Sequence, residues 1–176
     1  MSDDTEPDLS VGEFVEYCRT QAGLLSGQVE TMGEEADDLL DEIEETVADI
    51  RSRLEQQQGA NTQGTAAPTS TADPGADEVD VEDVEEMAAD LEEKQTVVEA
   101  KQVRMQAFQE LAADYTELAE ELQSDAEDGR AAMTRVVEFE LERDAPAYFD
   151  ERQTLAEAAA EATESSESEP SEVDPE

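Results

Sequence analysis

From Cys18 to Ile43 the apolar and small residues recur at steps of four and three: Cys18, Ala22, Leu25, Val29, Met32, Ala36, Leu39 and Ile43. That alternation keeps one stripe on one side of an α-helix and is the spacing with which helices zip along a common seam. A strand, whose side chains alternate with a period of two, cannot bring those residues to one face. Val47, Ile50 and Leu54 carry the run on, but two four-residue steps meet at Ile43. Such a stutter locally unwinds a left-handed supercoil. At the start, Ser10 and Glu13 have capping-box spacing, and Leu9 with Phe14 can form a hydrophobic staple. A helix is therefore expected over residues 10–57, preceded by a disordered segment, 1–9.

Residues 80–144 repeat the pattern. Counted from Val84, every seventh residue is Val84, Leu91, Val98, Met105, Ala112, Ala119, Ala126 and Met133. The companion positions are Met87, Lys94, Lys101, Phe108, Tyr115, Leu122, Gly129 and Val136, with Gly129 the place for a break if one exists. Between the two periodic stretches, residues 58–79 hold Gly, Pro and small polar residues and read as a flexible linker. Pro146 disfavours helix at Asp144-Ala145 and can start another, so a short helix is expected over 146–163, then a disordered acidic tail, 164–176. The fold class expected is all-α: a long antiparallel helical hairpin or coiled coil with a short third helix. Because the first helix is the shorter, residues 120–144 are expected to lack an internal partner. Gly23, Gly27 and Gly33 each weaken the first helix by about 1 kcal/mol relative to Ala. They read as tolerated, or as points of close approach or hinging.

The seams are embedded in acid. The chain has 176 residues, with 51 Asp and Glu against 10 Lys and Arg, a formal charge of −41. Clustered cations facing phosphates are missing, so no nucleic-acid partner is expected. No run of about 18 apolar residues offers a transmembrane segment, and the acidic first ten residues show no secretory h-region. A single cysteine, Cys18, excludes an internal disulfide and suits a cytoplasmic location. Such charge implies either disorder or a chain adapted to concentrated salt, where screening shortens to about 3 Å. Two lysines against eight arginines, dispersed acids and an intact apolar period favour salt. In composition the chain resembles the proteome of an extremely halophilic archaeon.

Chemistry-bearing patterns are few. There is no His, and one Cys cannot hold zinc or an iron–sulfur cluster. Phosphate-binding loops and nucleophile elbows are absent, and pairs drawn from 51 carboxylates carry no information. No catalytic residue, cofactor or specific metal is expected. The informative residues are those that could meet a partner. Lys94 and Lys101 fall on the seam near Arg104. They read as a dock for an acidic partner, as cross-helix partners of the carboxylates in 34–45, or as stems that cover the seam while their ammonium groups reach water. Met105, Phe108, Tyr115, Leu122, Met133 and Val136 continue the stripe. Tyr148 and Phe149 are adjacent aromatics that either anchor a partner or cap the helical core, and Phe14 and Tyr17 invite the same two readings.

These features point to a non-enzymatic structural or adaptor protein acting through helix–helix contacts, with itself as a dimer or with another helical protein. The alternatives are an amphipathic coat on an intracellular inclusion and an acidic, chaperone-like binder of basic proteins. Membrane-surface binding is disfavoured because so acidic a polar face is repelled by anionic lipid.

Overall fold

The computed structural model describes residues 9–62 and 81–167. Among them every regular element is helical: α1 (Val11–Thr62), α2 (Val81–Asp125), α3 (Gly129–Glu142), a 3₁₀ helix (Ala145–Tyr148) and α4 (Leu155–Glu167). α1 and α2 pack closely as the arms of an antiparallel hairpin, so the fold is all-α. Of the expected disordered N-terminus 1–9, linker 58–79 and tail 164–176, residues 1–8, 63–79 and 168–176 lie outside the described residues.

The chain divides into two compact units, residues 1–30 with 106–176, and residues 31–105. In the first unit the α1 start is capped as its sequence implies. The Ser10 N–H donates to Glu13 Oε2 at 2.9 Å, and the Glu13 N–H faces Ser10 Oγ at 3.4 Å. The Ser10 N–H and the Ser10 hydroxyl, which donates to the same Glu13 Oε2 at 3.1 Å, hold the exposed Glu13 carboxyl below its ordinary pKa. The core then takes Phe14, Val15, Cys18, Ala22 and Leu25 from α1 and Phe108, Leu111, Tyr115, Leu118 and Leu122 from α2. Ala132 and Val136 of α3, Ala145 and Ala156 complete it. Each large apolar side chain buried contributes about 1.5–3 kcal/mol.

Three expectations are corrected here. The helix over 80–144 is two helices, because Asp128 turns extended and caps α3, its carboxylate accepting from the Ala131 N–H at 2.8 Å. The heptad count runs through Gly129 without interruption, yet the break falls at that glycine, the place expected for one. The stretch 146–163 is not one helix. Asp144 is left-handed (φ 51°), Pro146 starts only a 3₁₀ turn, and α4 begins at Leu155, where Thr154 and Glu157 form a second capping box. α4 also takes in residues 164–167 of the expected tail, and α1 runs past 57 to Thr62. Finally, residues 120–144 do not lack a partner: Leu122 and Val136 are fully buried.

The second unit holds the remaining arms of α1 and α2. Its seam is thinner: Met32, Ala36 and Val98 are buried, whereas Leu39, Ile43, Val47, Ile50, Val84, Met87 and Leu91 are only half-buried. α1 passes through Gly23, Gly27 and Gly33 without a break.

The glycines separate cleanly by what a side chain would meet. A Cβ on Gly129, the buried first residue of α3, would overlap the Leu9 backbone, whereas one on Gly23 or Gly27 would meet nothing. Gly129→Ala is expected to lower stability by about 1–3 kcal/mol. Gly23→Ala and Gly27→Ala should each raise it by up to about 1 kcal/mol. Guanidinium titrations followed by circular dichroism in ~3 M KCl, where screening is strongest, read both signs.

Candidate functional site

Two arrangements of polar side chains stand out, one in each unit. The first centres on Glu140 of α3, whose side chain is wholly buried (0% exposed). Its Oε1 accepts from the Tyr17 hydroxyl of α1 at 2.6 Å and from the Tyr115 hydroxyl of α2 at 2.9 Å. Its Oε2 accepts from the Ala156 N–H of α4 at 2.8 Å. One carboxylate therefore ties together all four α-helices. The Tyr17 hydroxyl in turn accepts from Gln21 Nε2 at 3.1 Å and from the Leu155 N–H at 3.2 Å. Every group that Glu140 bonds is a donor, an environment suited to an anion placed against the first turn of a helix, where free N–H groups and the dipole favour negative charge.

Aromatic packing closes the same region. Tyr115 meets Phe139 and Phe149 edge-on, with ring centroids 4.9 and 6.3 Å away. Tyr148 meets Phe108 edge-on at 5.0 Å. Burial, together with the bond to and the charge of Glu140, raises the pKa of Tyr17; burial and the same charge raise that of Tyr115. Burial and the Glu140 charge push the Cys18 thiol up to about 12. At neutral pH Cys18 is a protonated, apolar core thiol. Enclosed on all sides, Glu140 reaches no solvent and can meet no substrate.

The second arrangement lies in the 31–105 unit. Lys94 Nζ pairs with Glu42 at 3.1 Å and with Asp90 at 3.0 Å, Lys101 pairs with Glu35, and Arg53 pairs with Asp83 at 3.6 Å and with Asp49 at 3.4 Å. The three cross-helix pairs keep one antiparallel register. From Lys94 to Lys101 is seven residues forward on α2, and from Glu42 to Glu35 is seven back on α1. From Asp83 to Lys94 is eleven forward, and from Arg53 to Glu42 is eleven back. Each pair is partly exposed and individually weak, so the ladder marks the register more than it stabilises the hairpin.

The expected partner-binding residues divide accordingly. Phe108, Tyr115, Leu122 and Val136 are buried in the first unit and are no surface for another molecule. Tyr148 and Phe149 fold onto that core rather than standing out. Met133 is half-buried in the first unit, as Met105 is in the second, and Arg104 is exposed. Lys94 and Lys101 are engaged by Glu42 and Glu35, the cross-helix pairing among the three readings. The residue that sequence reasoning missed is Glu140. Nothing separates it from the other acids except its place among the small and apolar positions of α3, four residues after Val136.

Among the described residues no group of three His, Cys, Asp or Glu is placed to hold a metal, and no helix is long and apolar enough to cross a membrane. No family model, curated protein or solved structure matches the chain.

Two outcomes test the carboxylate tie. Tyr17→Phe removes one donor to Glu140 and the acceptor of two N–H groups, and is expected to cost about 1.5–3 kcal/mol in denaturant titrations. Raised folded pKa values mean that the unfolded chain gives up these protons first. Stability is then full below the ordinary thiol value of 9.0 and falls as pH climbs through the ordinary phenol value of 10.0 and beyond. In a Tyr148→Phe variant, where tyrosinate absorbance reports Tyr17 and Tyr115 alone, it should rise only together with loss of helical ellipticity. A rise that precedes unfolding would show at least one of the two hydroxyls to be accessible.

Proposed function

We propose that this chain is a non-enzymatic structural or adaptor protein that works through helix–helix contacts made by its 31–105 hairpin, in the manner of a coiled coil. The observation that carries the reading is the contrast in burial. Residues 9–30 and 106–167 close their seam with α3, the 3₁₀ turn and α4, whereas among the described residues of the other unit Leu39, Ile43, Val47, Ile50, Met87 and Leu91 have one helix opposite and stay half-buried. A two-helix layer cannot remove such residues from water on both sides, and covering them with a further helix gains apolar burial. The regular four-three spacing from Cys18 to Ile43 supports a helical occupant over a lipid or polymer surface, which would require only a broad stripe.

The charge of −41 supports a chain adapted to concentrated salt in a cytoplasm, where carboxylates stay solvated and repulsion is screened. Hydrophobic association is strengthened in such solutions when the salt is excluded from protein surface.

A photo-activatable cross-linker placed at Leu54 or at Met87 in living cells tests the reading. Adducts to a protein, either another copy or a different chain, are the expected result from both positions. Adducts to lipid or polymer alone, or none from either position, would overturn it.

A further inference from the structure

The two flanks of the 31–105 hairpin differ in charge. In heptad terms the ladder carboxylates Glu35, Glu42, Asp83 and Asp90 all occupy g positions, and an antiparallel pair brings the g positions of both helices to one flank and the e positions to the other. Carried across, the register set by the ion pairs brings residues level on the opposite flank as Gly33 with Gln102, Leu40 with Gln95, and Val47 with Ala88. None of these six is charged, in a chain where 35% of residues are. Leu40 stands 42% exposed, Gln95, Gln102 and Ala88 are exposed, and Val47 is half-buried. Arg51 bounds the uncharged stretch beyond Val47.

Apolar residues at a and d alone suit a two-stranded seam, whereas the addition of e widens the stripe to that of a helix in a four-helix bundle. Leu40, beside Leu39 and Ile43, is such an addition. We propose that the uncharged flank is a self-association face. A second copy of this chain packs on it around a two-fold axis, with both ion-pair ladders turned outward in a four-helix bundle. The occupant is argued from charge. Two chains of −41 approach with least repulsion where neither presents a carboxylate, and a two-fold contact sets this flank against itself. The stripe is bordered on α1 by Asp37 and Glu44 and on α2 by Glu85, Glu92 and Glu99. Like charges therefore meet at the rim, and association strengthens as salt screens them. The inference rests on the helix-contact reading above and supplies its partner.

Light scattering coupled to size exclusion on the full chain, at ~3 M and ~0.1 M KCl, tests it. In concentrated salt the wild type is expected at twice the 19.2 kDa chain mass, and weaker association is expected in dilute salt. Leu40→Glu combined with Gln95→Glu sets charges into the contact and should weaken association on the order of 100-fold, leaving one chain mass. Both positions are exposed, so helicity in ~3 M KCl should match the wild type. Val103→Glu, at a site 71% exposed and away from both flanks, should leave the dimer intact. A wild type of one chain mass in concentrated salt would overturn self-association, with the helix-contact reading still decided by the cross-linking at Leu54 and Met87. A dimer that survives Leu40→Glu/Gln95→Glu with unchanged affinity would overturn the face.

Discussion

A buried carboxylate that accepts from Tyr17, Tyr115 and the Ala156 N–H is the constraint on which the closed unit depends. Removing an ion from water is costly unless its lone pairs are met by well-placed donors, and each donor here comes from a different helix. The consequence is geometric. α1, α2 and α4 must all bring a polar group to one point on α3, so the bond network specifies how they converge in a way that Leu and Ala contacts, which tolerate sliding, do not. The edge-to-face stacking of Tyr115 with Phe139 and Phe149 operates on the same residue, coupling the polar tie to the apolar core.

In the 31–105 unit charge does the specifying by other means. Lys94, Lys101 and Arg53 are half-exposed, and their pairs with Glu42, Glu35 and Asp83 are individually weak. Spaced along the hairpin, they disfavour the one-heptad slip that would set Lys101 against Gln28, but not the opposite slip, which would set Lys94, Lys101 and Arg53 against Asp49, Glu42 and Asp90. Cations at seam positions that reach sideways to a carboxylate also concentrate the ion pairs on one flank, which leaves the other free of charge. A chain with 51 acids can thus retain one uncharged face without a lower total charge.

Periodicity made the two long helices and their antiparallel pairing legible, and the Ser10–Glu13 box located the first helix start within a residue. It failed where local chemistry overrode it. Ala126, Gly129, Met133 and Val136 keep the heptad count, so the glycine marked where a break could fall, while the extended Asp128 cap and the proximity of Leu9 to Gly129 decide that two helices meet there. The Thr154–Glu157 box was in the sequence, yet the proline eight residues earlier was the stronger start signal and drew the helix too early. Glu140 carried only a faint mark, its place on the stripe seven residues after Met133, in a chain where acids on helix faces are the rule.

By itself the sequence determined the secondary structure class, the seams and the strongly acidic charge, since each follows from the spacing or number of residue types along the chain. The tertiary structure alone decided which members of those patterns are inside. Phe108, Tyr115 and Leu122 are buried where α3, the 3₁₀ turn and α4 return over α2, while the equally apolar Ile43 and Leu91, with no third described helix in their unit, remain half-covered. Burial depends on residues far apart in the chain, and the same separation, 123 positions from Tyr17 to Glu140, is why the tie was invisible until the helices were placed.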